Sequence, residues 1–96
     1  MFVVIVKAHV KPDMVETYES TFKALREKVL ANEPGVTFYE LSRVPDSPGE
    51  YRMVEAYADA QVQEEHFAKD YYIEAGPAII DCLVDGSFEM EVVETI

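Results

Sequence analysis

The sequence predicts an α+β fold in which a four-stranded antiparallel sheet carries helices on one face, in the order β-α-β-β-α-β. Three observations predict it. The chain opens on a run of β-branched and aromatic residues, Phe2 to Val10, of the kind that suits a pleated, half-buried surface. Tyr18, Phe22, Leu25 and Val29 then recur at the spacing of one face of a long helix. Pro45-Asp46-Ser47-Pro48-Gly49 parts two further strand-like runs and is the clearest turn signal in the chain.

Each element follows in order. The first strand has one wholly apolar side (Phe2, Val4, Val6, Ala8, Val10) and one on which Val3 and Ile5 give way to Lys7 and His9. Pro12-Asp13 turns the chain, with Asp13 as expected N-cap and Glu16 three residues on. Glu19 and Lys23 form an i,i+4 pair on the outer side of that helix, and Asn32-Glu33-Pro34-Gly35 ends it. Val36–Val44 and Glu50–Ala58 read as a hairpin. Asp59 caps a helix from Ala60 to about Lys69, and a second helical piece runs from about Tyr72 to Leu83, which Gly76-Pro77 should break or kink. Asp85-Gly86 leads into a last strand, Ser87–Val93. This order is the ferredoxin-like one. Because the helices cover one sheet face and both faces carry apolar residues, a second copy packed on the open face is expected.

Ninety-six residues, 49% of them hydrophobic, are expected to form one domain spanning residues 1–96 with a packed core. A net charge of -11 repels phosphate backbones and anionic bilayers, so neither nucleic acid nor membrane is an expected partner. The one cysteine, Cys82, excludes an intrachain disulfide and a multi-cysteine metal site, and reads as a small buried hydrophobe. The apolar opening is too short to span a bilayer and has no basic stretch before it, so the expected location is cytoplasmic. No dinucleotide, phosphate-loop, nucleophile-elbow or zinc-protease motif is present.

Three places stand out for chemistry. Glu55 sits mid-strand between Val54 and Ala56, where an ionised carboxylate is costly without a partner. It is a site carboxylate with a raised pKa, half of a structural pair with Arg43 or Arg52, or an exposed edge residue. Glu40 is a weaker version of the same case. His66 falls on the short helix, where an inward imidazole suits proton transfer; the competing reading is a half-buried structural histidine bonded to a backbone carbonyl. Tyr71 and Tyr72 supply phenols for a ligand wall or for core filling. His9 reads as a surface residue.

The element order, the Pro12-Asp13 turn, Gly35-Val36-Thr37-Phe38-Tyr39-Glu40, Glu55-Ala56-Tyr57-Ala58-Asp59 and the spacing of His66 to Tyr72 together resemble the antibiotic biosynthesis monooxygenase family. The resemblance implies a dimeric α/β-barrel of two ferredoxin-like halves with a pocket in each subunit. It implies oxidation of a small quinol- or anthrone-like substrate by O2 without metal or flavin. Carried over, His66 takes the helix position where anthrone oxidisers and haem-degrading relatives have Trp, and Tyr72 matches the phenol of the anthrone-oxidising type. Gly76 stands where haem degraders place their iron-ligating histidine, which weighs against haem as a cofactor. On this reading His66 takes the phenolic proton, Glu55 holds or tunes the site, Tyr72 and Tyr39 orient the ring, and Tyr71 and Phe67 contact the substrate. The alternatives are a proton-transfer isomerase acting on a small keto-sugar, phosphorylated or not, and a non-catalytic small-ligand-binding module.

Overall fold

A computed structural model describes residues 1–96. The chain runs β1 (Phe2–His9), a 3-10 turn (Pro12–Met14), α1 (Val15–Asn32), β2 (Val36–Arg43), β3 (Glu50–Tyr57), α2 (Ala60–Phe67), α3 (Asp70–Asp81) and β4 (Glu89–Glu94). The strands form one antiparallel sheet in the order β2-β3-β1-β4, which is the α+β ferredoxin-like arrangement that the sequence predicts.

Register decides what lies under the helices. Val4 pairs with Glu55, Val6 with Met53 and Ala8 with Tyr51. Because residues two apart share a sheet face, β3 turns Tyr51, Met53, Glu55 and Tyr57 toward the helices. The predicted stripe of α1 (Tyr18, Phe22, Leu25, Val29) is buried against them. Phe22, Leu25 and Val29 pack with Val4, Val6, Val36, Tyr39 and Tyr57, while Tyr18 joins Ala8, Val10, Tyr51, Cys82 and Leu83. Burial of each large apolar side chain contributes about 1.5–3 kcal/mol, so α1 is the main fastening of the helical layer.

Local expectations fail in three places. Asp13 caps nothing: Met14 N bonds Lys11 O at 2.9 Å, which closes a 3-10 turn, and α1 begins uncapped at Val15. Pro77 does not break α3, which runs unbroken from Asp70 to Asp81. The lost bond falls at the carbonyl of Ile73, a residue 58% exposed, on the open side of the helix rather than in the core. Ser87 does not start β4, because its hydroxyl accepts from His9 N at 3.3 Å and donates to His9 O at 3.2 Å. His9 lies at the surface as expected, its side chain 41% exposed and its Nδ1 2.5 Å from Glu50 Oε1.

Gly35 sets how closely α2 approaches the sheet. A Cβ there would stand 2.7 Å from Val62 Cγ2, inside any real contact. Its absence lets α2 settle onto the start of β2, where Ala58 N bonds Gly35 O at 2.9 Å. The opposite sheet face has no helical cover. It presents Phe38 and Val93, 48% and 38% exposed, with the half-buried Val3, Ile5 and Val54.

Candidate active site

A cavity of about 250 Å³ opens between the sheet and α3. Val6, Met53, Tyr18, Phe22 and Leu25 form its floor and side, and Phe67, Tyr72, Ile73, Gly76, Ile79 and Ile80 line it from the other helices. Glu55 is the one charged side chain on its wall, and no lysine, arginine or histidine reaches it. A larger, more open groove lies between α1 and β2, but four of its five charged side chains pair with each other, Arg26 with Glu40 and Arg43 with Glu19, which leaves Lys23.

Glu55 has no cation within the fold. Neither arginine considered from the sequence meets it, since Arg43 bonds Glu19 and Arg52 approaches Glu50 at 3.6 Å. Glu19 thereby turns to Arg43 and Tyr51 rather than Lys23. Glu55 instead accepts a hydrogen bond from the Tyr57 hydroxyl. Burial pushes its carboxyl up to about 7, against a lowering by the Tyr57 bond and with a further raise from Glu33. A carboxyl in that range exchanges protons at neutral pH.

His66 stands behind it. The Asp59 side chain accepts from Val62 N at 2.9 Å and starts α2, and the last turn of that helix drives His66 inward until it is fully buried. Its ring packs on Tyr72 with centroids 4.8 Å apart, on Tyr39 at 5.2 Å and on Tyr57 at 5.4 Å. Nε2 lies 4.0 Å from Glu55 Oε1, beyond hydrogen-bond range, and has no partner. Burial lowers the pKa of the imidazole, while Glu33 opposes that shift.

The structure brings Glu55, Phe67 and Tyr72 to the cavity wall. His66 and Tyr39 lie one layer back, with the Tyr39 hydroxyl buried and unpartnered. Tyr71 turns away and donates its hydroxyl to Glu33. Sequence reasoning missed Glu33, which is 6% exposed and whose carboxylate oxygens lie 2.9 and 3.2 Å from His66 Nδ1. One signal was available: Glu33 occupies the C-cap of α1, the helix end at which the dipole disfavours a carboxylate. No group of three His, Cys, Asp or Glu side chains is arranged to hold a metal ion. No helix is long and apolar enough to cross a membrane.

A helix-covered antiparallel sheet with a buried carboxyl on the wall of an apolar cavity, and an imidazole one layer behind it, defines the class: an α+β protein with an internal cavity. The family follows from comparison. A family model for antibiotic biosynthesis monooxygenases matches residues 1–77, and the chain belongs to that family. Among solved structures, a protein of Caulobacter crescentus CB15, provisionally named an antibiotic biosynthesis monooxygenase, is 30% identical with a TM-score of 0.92. That match covers 99% of this chain and 89% of the other. A conserved protein of Methanosarcina mazei Go1 is 26% identical, with a TM-score of 0.92 and coverage of 99% and 92%. A Nitrosomonas europaea protein, provisionally named like the first, has the same fold at 22% identity, with a TM-score of 0.90 and coverage of 100% and 99%. No curated protein is significantly similar in sequence.

Proposed function

We propose that this chain, as one domain, is a cofactor-independent monooxygenase that oxidises a small aromatic quinol- or anthrone-like compound with O2. One observation carries the reading: the only ionisable carboxyl on an apolar, aromatic-walled cavity is Glu55, held near neutrality and backed by the unpartnered Nε2 of His66. A phenolic O–H entering the cavity meets Glu55, and Glu55 with His66 takes its proton. The resulting aryloxide is electron-rich enough to reduce O2 directly within a water-poor pocket. The balance is quinol plus O2 to hydroxyquinone plus water, with one oxygen atom joining the ring carbon and the other leaving as water. Tyr72 and Phe67 flank the ring, and Tyr39 and Tyr71 act from outside the wall.

Size and charge support the substrate class. A dry cavity of about 150 Å³ admits benzene, so about 250 Å³ suits one or two fused rings. A phosphorylated sugar would bring its charge against Glu55 with no countercharge on the wall. The test is oxygen uptake by metal-stripped protein with a panel of hydroquinones and anthrones, corrected for autoxidation. Uptake should be present in the wild type and lost in His66→Ala. Full turnover by His66→Ala rejects His66 as a proton acceptor, and product formation indifferent to oxygen rejects the oxygenase.

The assembly that fits is a homodimer closed face to face over Phe38, Val54, Ile5 and Val93, with the cytoplasm as the location that suits an unpaired thiol. Sedimentation should return twice the 10.9 kDa chain mass. A monomer at micromolar concentration rejects the dimer.

A further inference from the structure

We propose that Glu33 is the positioning residue of this site: it holds the His66 ring in the tautomer that carries its proton on Nδ1, and so turns the Nε2 lone pair toward Glu55. Donors and acceptors around the ring decide the tautomer. The Tyr71 hydroxyl donates to Glu33 Oε2, and both Glu33 oxygens lie within bonding reach of His66 Nδ1, at 2.9 and 3.2 Å. A carboxylate surrounded by donors needs no proton of its own, so the shared hydrogen belongs to Nδ1. A neutral imidazole has one N–H, and Nε2 is therefore bare. That nitrogen is fully buried, bonded to nothing, and 4.0 Å from the carboxyl on the cavity wall. Small movement closes that gap.

The groups facing the ring come from every element around it. Glu33 approaches from the end of α1, Tyr39 from β2, Glu55 and Tyr57 from β3, and Tyr71 and Tyr72 from α3. Lys69, just past α2, is the cation that opposes a proton on the ring. Four of these groups are phenols whose pKa is raised by burial, Tyr39, Tyr57, Tyr71 and Tyr72, so they remain neutral and bring no charge. Glu33 is thus the anion that stabilises an imidazolium here.

The proton path balances. The ligand O–H bond breaks as a Glu55 O–H bond forms. That bond breaks in turn as Nε2–H forms, leaving the ligand anion, the Glu55 carboxylate and an imidazolium between two carboxylates. With the opposite tautomer Nε2 would already hold a hydrogen and could accept nothing. The inference rests on the proposed function only in that the ligand supplies the proton.

The test needs no substrate. The chain has two histidines, so a long-range proton–nitrogen correlation spectrum resolves both rings, with His9→Asn to assign them. In the wild type at neutral pH, His66 should show a protonated Nδ1 and a bare Nε2. Glu33→Leu removes the acceptor and should move the proton to Nε2, where it faces Glu55. Glu33→Gln keeps an acceptor but not the charge, so it should keep the tautomer and lower the proton affinity of the ring by about tenfold or more. A wild-type ring protonated on Nε2 overturns the proposal, as does a ring whose tautomer and midpoint are unchanged in both variants. If Glu33→Leu fails to fold, the wild-type spectrum and the Glu33→Gln titration still decide. The expected spectrum without oxygen uptake would reject the oxygenase alone.

Discussion

Glu55→Gln should lose turnover by about a hundredfold or more and yet unfold less readily than the wild type. The first effect follows from removing the only acidic or basic group on the cavity wall. The second follows from linkage. The Glu55 carboxyl titrates near 4.5 when unfolded and about 7 when folded, so between those values the native state holds a proton that the unfolded chain has released. The stability contribution of Glu55 is therefore full below pH 4.5 and is lost as pH rises through about 7. The loss amounts to about 3 kcal/mol. Gln keeps the acceptor that Tyr57 needs and never ionises. The variant should match the wild type at about pH 4 and exceed it by up to that amount above about pH 8. His66 has the opposite slope: its folded pKa is depressed, so its contribution is lost as pH falls below the unfolded value. Removing Glu55 should expose that slope. Urea unfolding across pH reads both effects, and a stability difference that does not change with pH contradicts a buried, proton-holding Glu55.

Gly76→Leu should likewise stabilise the protein while closing the site. Gly76 lies mid-helix on the cavity wall, and a Cβ added there meets nothing within 4 Å. Replacing a helical glycine by leucine contributes about 0.7–1 kcal/mol from propensity alone, and the new side chain gains further by filling apolar space. The same side chain takes the room that a ring needs. Titration with 2-naphthol, followed by its fluorescence, should show binding to the wild type and at least about a hundredfold weaker binding to the variant, which corresponds to about 2.7 kcal/mol. Wild-type affinity in Gly76→Leu would mean that the ligand sits elsewhere. A polar glutamate under the helices and a glycine inside one of them are both poor choices for stability, and both border the same cavity.

How far these features were legible varied by residue. The stripe of α1 and the β-branched opening of β1 announced themselves because burial imposes a period on the sequence. Glu55 was visible as an ionisable residue in a strand centre, but its face was not, since alternation is symmetric and β3 is apolar on both sides. The register of Glu55 against Val4 settles that point. Tyr71 and Tyr72 are adjacent, and only the placement of α3 sends one phenol to Glu33 and the other to the cavity. Glu33 was hidden because Asn32-Glu33-Pro34-Gly35 reads as a helix terminator, a local signal that masks a tertiary contact with a residue 33 positions away. Pro77 was misleading for a related reason: its local penalty is real, but it falls on the solvent side of α3.

Cys82 offers a use of its own. It is the only thiol in the chain, is fully buried beside Val10 and Leu83, and points its Sγ at Ala78 O, 3.3 Å away. A thiol-modifying reagent therefore reaches it only when the end of α3 lifts from β1. Its labelling rate is a built-in clock for that opening, readable in the unaltered protein, and it reports on the same helix that walls the cavity. A ligand that fastens α3 should slow the clock; one that binds anywhere else should leave it running.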